Sequence, residues 1–264
     1  MKMLALLLTD ILGLFRVCGA AIAARFTIAV AFSMPAILRR HNLQSADDAL
    51  GPGPFVVRLP TSPPFRIQGY GAVSGIREMY VRDCYLKGGA LAIRDGDVVV
   101  DLGANMGNFT NMALAHGPNV RVVSVEPNRN LNAVYESSVG LNPGFRERAT
   151  LIRAFLGEKV DKNRKLFEVA AAYRDAPWMT EDELISAGKL DRVDYLKCDI
   201  EGGEYALLGR DSKLLRMARS IAIEIHSFAG DVDGFVAMLT ELGFTTRALL
   251  DSPDHTVVLL ASRA

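Results

Sequence analysis

Val98-Val99-Val100-Asp101-Leu102-Gly103-Ala104-Asn105-Met106-Gly107-Asn108-Phe109-Thr110 decides the fold of this chain. An apolar, β-branched run ends in an acid, and a turn holding two glycines follows. Phe109, Met112, Ala113 and His116 then recur at helical intervals. Strand, tight loop and helix in that order open a doubly wound α/β domain, whose ligands bind outside the carboxyl ends of the strands.

The glycine spacing narrows what the loop holds. Three residues separate Gly103 from Gly107, so the turn is not the G-x-G-x-x-G that brings backbone against a pyrophosphate. Nor is it a G-x-x-x-x-G-K-[ST] phosphate loop. A second apolar run, Val122-Val123-Ser124-Val125-Glu126-Pro127-Asn128, ends in an acid 25 positions after Asp101, one β-α-β step on. A carboxylate there can accept hydrogen bonds from both ribose hydroxyls of a nucleoside. A third stretch is Val193-Asp194-Tyr195-Leu196-Lys197-Cys198-Asp199-Ile200-Glu201-Gly202-Gly203-Glu204.

The first stretch resembles the opening motif of class I S-adenosylmethionine-dependent methyltransferases. With Val125-Glu126-Pro127 and Leu196–Glu204 it resembles the FkbM family of methyltransferases, over about residues 83–244. Two positions depart from the family pattern: Cys198 stands where an aliphatic residue is usual, and Gly203 where alanine is usual. The resemblance implies S-adenosylmethionine as cofactor, and O-methylation of a hydroxyl on a sugar, glycan or natural-product acceptor. It implies a cofactor site from Asp101, Gly103, Ala104, Asn105, Met106, Gly107, Asn108, Glu126, Pro127 and Asn128, with Ala154, Phe155 and Asp199. Asp101 can instead cap the loop, Asn105 can simply satisfy the turn, and Phe155 can stack on adenine or fill core. In the family the segment before the α/β domain walls the acceptor, which makes Tyr85 and Lys87 substrate candidates beside the plain reading as core and surface residues.

Methyl transfer needs an acceptor oxygen held in line with an activated methyl group, and a base for the hydroxyl proton. Asp199 closes the fourth expected strand and Glu201 follows it. Glu224 and His226 share one face of the fifth, Ile221, Ile223 and Ile225 the other. His226, titrating near neutrality, is the first candidate for the base and Asp199 the second. Asp199 and Glu201 can also serve only to orient the loop or the cofactor. Asp199, Glu224 and His226 together have the ligand types of a magnesium-dependent O-methyltransferase, without a compact metal signature. A binding or scaffold protein that has lost catalysis is the other class. The set Asp101, Gly103, Gly107, Glu126 and Asp199 opposes it, since a scaffold does not need them. His41, His116 and His255 take no role.

The chain has 264 residues, half of them hydrophobic, with 30 basic and 30 acidic side chains. Charge balance opposes a nucleic-acid partner. Three scattered cysteines oppose disulfides and a cysteine zinc site, and fit the cytoplasm. Residues 1–50 read as an apolar helical extension, 51–92 as a hairpin and helix, and 93–264 as the Rossmann-like domain. The longest charge-free run in the extension, residues 26–38, is shorter than the roughly 20 residues a bilayer span needs. Two readings stay open: helices packed on the domain or on a second copy of the chain, or a peripheral membrane contact through residues 1–40, with Arg39, Arg40 and His41 at the headgroups.

Strands are expected at 98–101, 120–125, 150–155, 193–198 and 220–225, with an antiparallel pair at 244–249 and 256–261. Helices are expected at 107–116, 128–139, 180–187, 205–217 and 231–242, and a helix capped by Ser74 over 74–86. The family sheet would then have seven mostly parallel strands in the order 3-2-1-4-5-7-6, with residues 161–178 a surface loop or lid.

Overall fold

The computed structural model describes residues 2–40, 42–157, 171–251 and 256–263. His41, His255 and most of the expected lid lie outside them. A short hairpin, β1 (Phe55–Val57) with β2 (Phe65–Ile67), precedes the sheet. The strands that follow are β3 (Val98–Leu102), β4 (Arg121–Val125), β5 (Ala149–Ile152), β6 (Phe155–Leu156), β7 (Trp178–Met179), β8 (Val193–Cys198), β9 (Ala218–His226), β10 (Thr245–Asp251) and β11 (Thr256–Ser262). Seven of them form one sheet in the order β10-β11-β9-β8-β3-β4-β5, with β11 antiparallel to both neighbours. Numbered within the sheet, that is the expected 3-2-1-4-5-7-6.

All five residues of β3 are buried, as a central parallel strand covered on both faces requires. Side-chain alternation sends Val98, Val100 and Leu102 into one apolar cluster with Leu196, Ile221 and Ile223, and Val99 into the other with Tyr195 and Ala222. The second cluster also takes Leu14, Phe26, Phe55, Ile67 and Tyr85, so residues before position 93 share a core with one face of the sheet.

Three local expectations are corrected. The third strand stops at Ile152; Phe155 belongs to a separate parallel pair, with Phe155 opposite Trp178. The 205–217 helix is two short ones, Glu204–Leu207 and Lys213–Met217, separated by the turn around Gly209. The pre-domain helix does not begin at a Ser74 cap. It runs Ala72–Gly75, widens to a π-helix over Ile76–Val81 and ends before Tyr85.

The extension is two helices, α1 (Lys2–Cys18) and α2 (Ala20–Arg40), then α3 (Gln44–Ala49). Asp10, fully buried on α1, accepts from Arg77 Nη1 at 2.7 Å and from Arg82 Nε and Nη2 at 3.0 and 2.7 Å. Arg77 also donates through Nε and Nη2 to both Asp47 oxygens, at 3.0 and 2.6 Å. This network clamps α1 and α3 to the π-helix. Gly13 lets the backbones close: a Cβ there would stand 2.0 Å from Val81 Cγ1.

Candidate active site

A cavity of about 450 Å³ opens at the carboxyl edge of the sheet. The loop after β3 forms its floor. Gly103 adopts φ 76°, and a Cβ on it would lie 1.7 Å from the Asp199 carbonyl oxygen, so only glycine fits. Gly103 and Ala104 donate their amides to the Val125 carbonyl, each at 3.0 Å. Asn105, at φ 51°, takes a left-handed conformation that asparagine tolerates, and its Oδ1 accepts from the Met106 amide at 2.8 Å.

Glu126 stands in the cavity wall with its carboxyl held from both sides. Oε2 accepts from the Asn105 amide at 3.0 Å and Oε1 from the Asn128 amide at 2.8 Å. Burial raises its pKa, against these two amide bonds. Each oxygen keeps a lone pair for a hydroxyl of a bound ribose. Beyond it, Phe155 stacks at 4.9 Å on Trp178 and at 5.9 Å on Tyr173, giving an aromatic shelf beside Ala154 and Leu131.

The other expected loop residues face elsewhere. Asp101 is fully buried under the loop, where Oδ2 accepts from Thr110 Oγ1 at 2.7 Å and Oδ1 lies 3.3 Å from Lys197 Nζ. Met106 turns its sulfur toward Gly69. Asn108 is buried and donates to the Ala72 carbonyl at 3.3 Å. Asn128 caps the helix Arg129–Gly140 by accepting from the Asn130 and Leu131 amides, while Pro127 stays in the cavity wall.

The acid-rich end is built by register. β3 pairs with β8 so that Asp101 faces Lys197, and β8 with β9 so that Lys197 faces Ala222. The same sheet face then brings Asp199, Glu224 and His226 together, with donor atoms within 4.8 Å of one another. Lys197 is fully enclosed and donates to the Leu102 and Gly103 carbonyls at 3.2 and 2.7 Å. Burial would lower its pKa, but Asp101 and Asp199 outweigh that and hold it above its ordinary value. It carries a fixed positive charge 3.9 Å from Asp199 Oδ2.

Burial raises the Asp199 pKa, and Lys197 and His226 oppose the rise. Glu224 goes up to about 7, through burial first and then the charges of Asp199 and Glu78. Its oxygens accept from Thr256 Oγ1 at 2.9 Å and from the Tyr85 hydroxyl at 3.4 Å. Tyr85 is buried behind Glu224 rather than in the cavity wall. Lys87 sits on an exposed turn. Glu201, at φ 55°, lines the cavity, and its Oε2 is 3.6 Å from His226 Nε2.

His226 departs from the sequence reading. Its Nδ1 lies 3.1 Å from Oε1 of the fully buried Glu204, a bond that raises the imidazole pKa to about 9. This shift favours the protonated ring at neutral pH, and the ring is not part of the cavity wall. This charge state moves Asp199 ahead of His226 as candidate base, because a base must be free to accept a proton. Glu204 itself had no assigned role in the sequence, although it ends the third motif. It also organises the Asp199–Gly203 turn, accepting from the Ile200 and Gly202 amides at 3.1 and 3.2 Å. Glu78, Tyr173 and Trp178 were also missed; the one tryptophan of the chain was the available signal for the shelf.

A seven-stranded sheet in this order, with a glycine loop after its first strand and an acid after its second, defines the class I methyltransferases. The chain belongs to the FkbM methyltransferase family: the profile described as "Methyltransferase FkbM domain" matches residues 101–246, more than half of its length. It is 26% identical over 216 residues to the 31-O-demethyl-FK506 methyltransferase FkbM of Streptomyces tacrolimicus, covering 66% of this chain and 82% of that protein. It is 28% identical over 236 residues, 68% of this chain, to the AMB antimetabolite synthetase AmbE of Pseudomonas aeruginosa, of which it spans only 11%. Solved structures with a similar outline include Aeropyrum pernix fibrillarin with natively bound S-adenosyl-L-methionine (13% identity, 78% of this chain, 93% of that one, TM-score 0.42). The pyocyanin biosynthetic protein PhzM is another (17% identity, 96% and 73%, TM-score 0.42). The chain is an S-adenosylmethionine-dependent methyltransferase. The cavity fits that cofactor: the glycine cradle, the paired acceptors of Glu126 and the aromatic shelf match an amino-acid end, a ribose and an adenine.

Proposed function

We propose that the chain methylates a hydroxyl of a small-molecule, sugar or glycan acceptor, with Asp199 taking the proton. The observation that carries this is the position of Asp199 in the cavity wall, with Glu224 and His226 gathered behind it. When bound, the cofactor supplies an electrophilic methyl group. Gly103 and Asn105 leave room for it and Glu126 orients it. Asp199 accepts the hydroxyl proton at a carboxylate oxygen, while Lys197 and the His226 imidazolium favour its ionised form against burial. The name of the Streptomyces relative, a 31-O-demethyl methyltransferase, supports an oxygen acceptor. The test is mass spectrometry of metabolite extracts incubated with the protein and cofactor carrying a deuterated methyl group. A labelled product that disappears with Asp199→Asn is expected; cofactor binding with no labelled product from any extract would favour a binding module instead.

A second reading is a divalent cation held by Asp199, Glu224 and His226. Their mutual approach favours it, as does Glu204 on the far ring nitrogen, the arrangement that orients a metal-binding histidine. Its mark would be loss of activity to a chelator and recovery with magnesium. Activity indifferent to the chelator leaves the metal-free reading.

A further inference from the structure

The two N-terminal helices are amphipathic in a way the fold does not use. Their inward sides bury Leu14, Val17, Phe26, Val30 and Ile37. Their outward sides leave large apolar groups in solvent: Phe32 is 85% exposed, Leu12 58%, Ile28 and Leu38 57%, Phe15 56% and Leu8 53%. Residues at these intervals fall in stripes, Leu8, Leu12 and Phe15 on α1, and Arg25, Ile28, Phe32 and Arg39 on α2. Exposed apolar patches of this kind mark interaction surfaces.

Charge identifies the partner. Asp10 is the only acid in residues 2–40, and it is turned fully inward onto Arg77 and Arg82. The exposed side carries Arg16, Arg25, Arg39 and Arg40. Among the described residues none of Arg16, Arg39 and Arg40 meets a carboxylate, and Arg25 donates to the Leu50 carbonyl. An apolar stripe flanked by arginines with no acid suits the headgroup boundary of a negatively charged bilayer. α2 is long and apolar enough to cross a membrane, but crossing would strip Phe26, Val30 and Ile37 out of the protein core. Lying along the surface leaves that core intact.

We infer that the outward face of α1 and α2 docks on an anionic lipid surface. The inference stands apart from the methyl-transfer reading. The test is flotation of the full chain with phosphatidylcholine vesicles, with and without phosphatidylglycerol. Flotation that requires phosphatidylglycerol and weakens with salt is expected. The double variant Ile28→Glu, Phe32→Glu should lower vesicle binding at least about tenfold. Both positions are exposed, so its melting curve and cofactor affinity should stay those of the wild type. Arg39→Glu with Arg40→Glu should weaken binding to the anionic vesicles. No flotation with phosphatidylglycerol, equal flotation without it, or undiminished binding by the Ile28/Phe32 variant would each overturn the inference. A wild-type dimer by light scattering that this variant splits, with no flotation, would assign the face to a second copy of the chain.

Discussion

His226 Nδ1 sits 3.1 Å from Oε1 of Glu204, a residue with no solvent exposure. The hydrogen bond favours the protonated ring, and the charges of Asp199 and Glu201 add to it. The imidazole at the end of β9 therefore favours its protonated form at neutral pH, beside the carboxyls of Asp199, Glu201 and Glu224.

Activity should follow a bell in pH. The rising limb belongs to the Asp199–Glu224 pair and lies above the ordinary carboxylate range, because both groups are raised. The falling limb should appear near 9, as His226 loses its proton. A profile of kcat measures both. If turnover instead climbs through pH 9, His226 is the base after all. Glu204→Gln should bring the His226 titration, followed by NMR, down toward its ordinary value of 6.5.

The same shifts set a sign for stability. His226 rises from 6.5 to about 9 and Glu224 from 4.5 to about 7, so both bind protons more tightly in the folded chain. The Glu224 contribution is complete below pH 4.5 and lost as pH rises through about 7. That of His226 is complete below 6.5 and lost through about 9. Thermal unfolding across pH 6.5 to 9 should therefore fall less steeply in His226→Gln than in the wild type. A steeper fall in the variant would contradict the assignment.

Asp199→Asn should lower kcat by roughly 10²–10⁴, the usual worth of a positioned base. Calorimetry with S-adenosylmethionine separates this from a binding defect. Wild-type turnover in the variant would remove Asp199 from the proton transfer.

Glu126→Ala should weaken cofactor binding by about 1–3 kcal/mol, since the Asn105 and Asn128 amides and the ribose hydroxyls lose their acceptor. Unchanged affinity in a folded variant would place the ribose elsewhere.

Asp10→Ala should destabilise the chain by about 3–5 kcal/mol, the cost of stripping a partner from a buried ion network. Arg77 would keep only Asp47, and Arg82 would lose both of its bonds to Asp10. Denaturant unfolding measures it; a change below 1 kcal/mol, on the order of an exposed pair, would show that packing alone holds α1.

The strand positions, the glycine loop and the acid at Glu126 were legible in the sequence, because local patterns write them; the strand order came only with the family resemblance. Val98-Val99-Val100 has to be a buried strand, and Gly103 has to be glycine where the chain turns against another strand. Backbone periodicity also put Glu224 and His226 on one face of β9. What lies opposite a side chain is another matter. Glu204 meets His226 from 22 residues away, Lys197 meets Asp101 only through strand register, and Trp178 reaches Phe155 across a long connection. Those contacts set charge states and cavity walls. They depend on chain segments packing together, so only the tertiary structure placed Glu204 against His226, which favours the protonated ring, and buried Asp10 to leave the N-terminal face without an acid.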